Sequence, residues 1–366
     1  MREKNYDLLP LYQHFINEMK KGKRVQKNGR VIRKTTIRNY VALQKNLEGF
    51  EKAKGTTLRI KDDDLIRTTR AKIAEHNYWK RFYFSFTEYL FKTRNVHDNY
   101  VGSQIKLLRA FFNYQIEEGY PKPGNYHNGF YITSQEMPVI VVVPERLNFL
   151  IYNKEFENSL SKRLRVFKDM FVFGCTTALR FSDLRKANRT NIQVINKSVY
   201  LCTISQKTNT ISRISLPDYA KEILLRYKRR KRTLFPPISI VNFNLAIKKI
   251  ALLAGWTEEV SVTRSKRGEH FEQYRHNTNK ENFRFCDVIA SHAMRRTAIT
   301  TMLRFGMNEM NVRIISGHTP NSVSFYRYVN YADGFMEEEM DKYYAKLAAV
   351  DYEKYFEENK NVDFFK

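Results

Sequence analysis

Between Tyr120 and Gly129 the chain reads YPKPGNYHNG, where four of ten residues are proline or glycine. Proline removes a backbone donor and fixes φ, and glycine loses the most backbone entropy on ordering, so no helix or strand interior is built this way. This stretch therefore divides the chain. At 366 residues the protein is already long for one core, given roughly 150 residues per domain. The division predicts a domain over 1–120, a linker over 121–143 and a second domain over 144–366.

Ahead of the break the apolar spacing is helical. Ile37, Tyr40, Val41, Leu43, Leu47 and Phe50 recur at three and four, with Thr35 or Thr36 as the expected cap. Asp98 or Asn99 opens a later helix that turns Val101, Ile105, Leu108, Phe111, Phe112 and Ile116 inward. Beyond the break, MPVIVVVP reads as a short strand, and Pro144 suits the first turn of a helix. Leu164 to Gly174 form a buried helical stripe running into CTTALRFSDL, which delivers Arg180 just before a helix capped by Ser182. SVYLCTI and ISRISLP alternate on either side of SQKTNT, a hairpin pattern with Lys207 in or beside its turn. A helix from Asp218 to the run Lys228–Arg232 follows, then one over Asn242 to Leu253. The polar, basic stretch from Thr257 to Arg284 is expected to be an exposed hairpin or loop. Three further helices carry His292 and Arg295, the segment from Asn308 to Gly317, and a tyrosine cluster. A mixed-charge amphipathic tail closes the chain. The fold class is mainly α with a small β-hairpin element, an α+β arrangement.

Charge restricts the partner. Lys and Arg number 64 against 38 Asp and Glu, a formal net charge of +26, which points to a polyanion, most often nucleic acid. Binding of that kind is strongly salt-dependent. Val139 to Val143 is the longest aliphatic run and is far too short to span a bilayer, and the N-terminal residues lack an apolar signal core. Cys175, Cys202 and Cys286 are odd in number and widely spaced, as unpaired thiols of a reducing compartment are. A cytoplasmic, nucleoid-associated protein with no membrane partner is expected. His270 and His276 find no Cys or acidic ligand to complete a tetrahedral metal set.

His292 and Arg295 stand three apart on one predicted helix, so both side chains can converge on one anion. Arg180, Lys207, His318 and the nearby tyrosines add to them the groups that phosphoryl transfer needs. Two guanidinium forks hold the charge that develops on non-bridging oxygens, and a lysine can protonate a leaving 5′-hydroxyl. His292 is suited to take the proton of a tyrosine, and His318 to hydrogen-bond the phosphate. A phosphotyrosyl ester keeps the energy of the broken bond, so strands can be exchanged with no cofactor, neither ATP nor metal.

Together these residues resemble the tyrosine recombinases, or phage-type integrases, especially those of Bacteroidetes-like mobile elements. TTALRFSDL is similar to the family's T-G-L-R-x-S-E-L box, with Arg180 as its arginine. Lys207 in SQKTN resembles the hairpin lysine, SHAMRRTAIT the H-x-x-R box with His292 and Arg295, and ISGHTP the L-G-H box with His318. Two departures stand out: Ala178 replaces the family glycine, and Arg327 occupies the position nine residues after His318 where the nucleophilic tyrosine usually falls. Phe325-Tyr326-Arg327-Tyr328-Val329 looks like the family's F-x-x-Y ending shifted by one residue, which selects Tyr328; Tyr326 and Tyr331 are the other candidates.

The resemblance implies a helical, SAM-like core-binding domain followed by a catalytic domain that together clamp double-stranded DNA. It also implies a homotetramer on DNA, a C-terminal helix docked on a neighbouring copy, and accessory DNA-bending proteins. An arm-binding domain ahead of the core-binding region is not evident, which favours a simple recombinase. Two other readings stay open: a type IB topoisomerase-like enzyme that relaxes DNA, and a catalytically impaired DNA-binding relative.

Overall fold

The computed structural model describes residues 5–26, 28–204, 211–230, 232–320, 322–332 and 336–349. Their contacts fall into two compact units, one of residues 1–137 with 262–273, the other of 138–261 with 274–366. Residues 121–137, read from the sequence as part of the linker, and residues 262–273 of the basic stretch group with the first unit.

The first unit contains β1 (Asn5–Asp7), α1 (Leu8–Lys20), α2 (Lys34–Lys54), β2 (Arg59–Lys61), α3 (Thr69–Lys92) and α4 (Asp98–Glu117), with β1 antiparallel to β2. Its core is aromatic. Trp79 meets Phe112 edge to face with ring centroids 4.8 Å apart, and Tyr12 meets Phe111 at 4.9 Å. Such pairs add to the roughly 1.5–3 kcal/mol that each buried apolar side chain contributes. Helix α2 starts before the expected threonines, at an uncapped Arg33 whose carbonyl accepts from the Ile37 amide.

The second unit opens with α5 (Pro144–Tyr152), α6 (Lys154–Ser159), α7 (Lys162–Thr177) and α8 (Phe181–Lys186). A three-stranded antiparallel sheet of β3 (Ile192–Ile195), β4 (Ser198–Ile204) and β5 (Ile211–Ser215) follows, then α9 (Asp218–Arg226) and α10 (Ile240–Leu253). Short strand β6 (Glu259–Val260) precedes the hairpin of β7 (Val262–Lys266) and β8 (Glu269–Gln273), whose turn places Arg267 and Gly268 at positive φ as a tight reversal requires. This hairpin is the part assigned to the first unit. There the Asp98 carboxylate accepts from the Arg267 and Gly268 amides at 2.8 and 2.9 Å. Strand β9 (Phe283–Arg284), α11 (Phe285–Val288), α12 (His292–Arg304), α13 (Glu309–Ser316), α14 (Val323–Ala332) and α15 (Met336–Ala348) complete the order.

Helix α7 lies at the centre of the second unit, packed on α12, α10, α5 and α9. Gly174 makes the α12 contact possible: a Cβ there would lie 2.4 Å from Met294 Sδ.

Three local expectations are corrected. The run Val139–Val143 is not a strand; the Val142 amide donates instead to Thr297 Oγ1 on α12 at 2.9 Å, and Val141 and Val142 are buried. Helix α8 begins from Arg180 rather than Ser182, because the Arg180 carbonyl accepts from the amides of Asp183 and Leu184. Helix α9 ends at Arg226, ahead of the cationic run, where the Arg189 guanidinium takes the carbonyls of Tyr227 and Arg230. No helix among the described residues is long and apolar enough to cross a membrane.

Candidate active site

Four of the predicted residues reach one region of the second unit, and they do so from three directions. Helix α7 is stopped by Ala178, which adopts the left-handed conformation with φ 54° and ψ 14° while fully buried. The chain then turns extended at Arg180, which caps α8 and aims its half-buried side chain into a cleft of about 410 Å³. His292 enters from the first position of α12, where it is exposed, and Arg295 comes one turn later on the same face. Both line the cleft together with Arg180 and Arg185. His318 arrives from the loop after α13, whose end is set by Gly317 in the left-handed conformation.

Arg295 is the centre of the arrangement. It is 3% exposed and forms no ion pair among the described residues. Its Nη1 donates to the Ala178 carbonyl at 3.0 Å, and its Nη2 lies 3.1 Å from His318 Nε2 and 3.2 Å from Nδ1. Burial, and after it the charge of Arg180, push this guanidinium down to about 10, while Tyr328 and Asp183 pull it up. It stays protonated at neutral pH. A buried cation beside a second cation, with no ion pair among the described residues, is an electrostatic deficit that an anion relieves.

His318 is its counterpart. Burial first, then Arg295, Arg180, Arg313 and His292, push the imidazole down to about 3, so the ring is neutral. Ser316 Oγ sits 2.7 Å from its Nδ1. The loop that carries it is tied by Arg313, whose Nη1 donates to the carbonyls of Pro320 at 2.9 Å and Thr319 at 3.3 Å.

Helix α14 decides how the tyrosines present themselves. Phe325 and Tyr328 lie three apart on its inner face and join Ala178, Ala298, Ile299 and Val312 in a small core. The Tyr328 ring is 6% exposed and its centroid is 5.8 Å from that of His318. Tyr326 points the other way: it is 51% exposed and rests on the Arg313 guanidinium at 4.9 Å. The side chain of Tyr331 lies outside the described residues, and so does Lys207, in the segment joining β4 to β5. The base of that hairpin is fixed, since Ser212 Oγ on β5 donates to the Ile314 carbonyl on α13 at 2.9 Å.

Three contributors escaped sequence reasoning. The Ala178 carbonyl orients Arg295, Ser316 holds His318, and Arg313 fixes the loop between them and α14. Backbone carbonyls leave no mark in a sequence. Ser316 stands where the L-G-H box has leucine, and that departure was the one signal available.

A profile of the phage integrase family matches residues 143–333. Solved structures with the same fold include a Tn1549 transposon integrase in complex with circular intermediate DNA, at 15% identity and a TM-score of 0.56, covering 89% of this chain and 94% of that one. A XerH site-specific recombinase bound to palindromic difH substrate gives 12% identity and a TM-score of 0.58, covering 91% and 94%. A lambda integrase dimer bound to a COC′ core site gives 15% identity and a TM-score of 0.54, covering 88% and 95%. No curated protein matches the sequence.

Proposed function

The chain belongs to the phage integrase family, a site-specific recombinase by that membership, and from it we propose that the cleft between α8 and α12 binds the scissile phosphate of duplex DNA. The observation that carries this reading is Arg295: a buried guanidinium, anchored by a backbone carbonyl and a neutral histidine, beside Arg180 and with no ion pair among the described residues. A phosphodiester is the anion that fits, because two guanidinium forks can hold its non-bridging oxygens as charge builds on them.

In the reaction, the Tyr328 oxygen attacks phosphorus and its proton passes to His292. The bond from phosphorus to the 5′-oxygen breaks, and Lys207 supplies the proton that this oxygen needs to leave as a hydroxyl. A 3′-phosphotyrosyl ester remains. Attack by a 5′-hydroxyl from another strand reverses the step, rejoins DNA and frees Tyr328. Packing against His318, and the pull it exerts on Arg295, favour Tyr328 over the outward Tyr326.

Residues 1–120 act as the core-binding domain and 144–366 as the catalytic domain. Double-stranded DNA is the partner, with a homotetramer formed on it and accessory DNA-bending proteins assisting, in a cytoplasmic, nucleoid-associated setting. Helix α15 docks on a neighbouring copy, in keeping with its exposed Met340, Tyr343, Tyr344 and Leu347.

The test is joining between molecules. Two duplexes carrying a site selected from random DNA, incubated with the full chain, should yield exchanged products. Supercoil relaxation without exchange would support the topoisomerase reading, and binding without either would leave a DNA-binding relative.

A further inference from the structure

We infer that Arg313 selects the nucleophile: its one guanidinium braces the link after His318 against the start of α14, so that Tyr328, and not Tyr326, is the tyrosine presented to the phosphate. This rests on the cleft being the phosphate site of a recombinase.

Arg313 is 9% exposed and reaches α13, the link and α14 at once. Its Nε and Nη2 donate to Glu309 Oε1 at 2.8 and 2.5 Å, one turn back on α13. Its Nη1 donates forward, to the Pro320 carbonyl at 2.9 Å and the Thr319 carbonyl at 3.3 Å, in the link that joins His318 to α14. The guanidinium carbon stands 4.1 Å from the centre of the Phe325 ring and 4.9 Å from that of Tyr326. A guanidinium only donates, and carbonyls and carboxylates only accept, so the direction of each bond is fixed. The task needs a fork and a flat face together, and lysine has neither.

What the brace holds is a cluster of three rings. Between centroids, His318 lies 5.2 Å from Phe325 and 5.8 Å from Tyr328, and Phe325 lies 6.3 Å from Tyr328. These are separations at which aromatic pairs attract. Phe325 is fully buried, so its seat on Arg313 sets how α14 is turned about its own axis. Tyr328, three residues on, then falls on the same face. Tyr326 is turned outward with the guanidinium against its ring, and is 51% exposed. Arg313 is thus a positioning residue, acting through Phe325 and the carbonyls of Thr319 and Pro320.

The experiment puts a fluorotyrosine label at Tyr328 or, as a control in the same unit, at Tyr219, in the full chain with and without Arg313→Lys. Lysine keeps the positive charge that helps to hold His318 neutral, so the variant removes the brace alone. By fluorine NMR, Arg313→Lys should move the Tyr328 signal toward its position in the unfolded chain and leave the Tyr219 signal in place. In the unlabelled chain, Arg313→Lys should form the covalent product on a nicked duplex up to about a hundredfold more slowly, the scale of a 1 Å misplacement, with duplex affinity unchanged. A Tyr328 signal that Arg313→Lys leaves in place, a Tyr219 signal displaced along with it, or covalent product at the wild-type rate would overturn the inference. If the wild type forms no covalent product, the recombinase reading falls, while the fluorine signals still decide whether Arg313 holds the Tyr328 ring.

Discussion

Ala178 is where a single residue does most to assemble the site. It sits buried in the left-handed region, a conformation that costs an L-residue about 1–2 kcal/mol, and its carbonyl holds Arg295. The family glycine at this place has a physical reason, and alanine is the smallest side chain that departs from it. A β-branched residue should not be accepted. Ala178→Val is expected to lower unfolding stability by roughly 2–4 kcal/mol through strain and overpacking and to weaken DNA cleavage with it; urea midpoints equal to wild type would show that the turn is more adaptable than this. At this scale much was legible. Arg180, His292, Arg295 and His318 were candidates from residue type, spacing and resemblance to the family boxes, and the fold brings all four together. Ser316 and the Ala178 carbonyl were not, because their contribution depends on which atoms end up 3 Å apart across 117 residues in one case and on a hydroxyl rotor in the other.

Among elements, the packing of α7 on α12 brings the residue that ends α7, Ala178, against Arg295. Gly174 allows it, with no room for a methyl group beside Met294. Gly174→Ala should therefore destabilise by about 1–3 kcal/mol through overpacking, outweighing the roughly 1 kcal/mol that alanine gains in helix propensity. A higher melting temperature in the variant would refute the tight contact. The helices themselves were readable from period and caps: Asn308 before α13 and Gly317 after it behave as their sequence suggests. The valine run was misread because strand-like composition says nothing of a partner strand, and Thr297 satisfied the Val142 amide instead. The β7–β8 hairpin was expected in outline, but its place in the first unit was not. The carboxylate that receives its turn is Asp98, 169 and 170 residues away in sequence.

Over the whole molecule, charge and burial combine to make acid destabilising. His318 is lowered by burial and then by Arg295, His127 by burial and then by Arg109, and His97 by burial and then by Arg264 and Lys266. All three are held below the unfolded value of about 6.5, so the folded state binds fewer protons than the unfolded one just below that pH. Their stabilisation is complete above about pH 6.5 and is lost as pH falls toward the folded values. Urea midpoints should decline between pH 7.5 and 5.5; an unchanged or rising midpoint would contradict the three neutral histidines. The central claim is tested most directly by a covalent product. A nicked duplex bearing the selected site, incubated with protein and resolved under denaturing conditions, should give a protein–DNA band with the wild type and with Tyr326→Phe, and none with Tyr328→Phe. A band that persists in Tyr328→Phe would place the nucleophile elsewhere and contradict the site as assembled around Arg295.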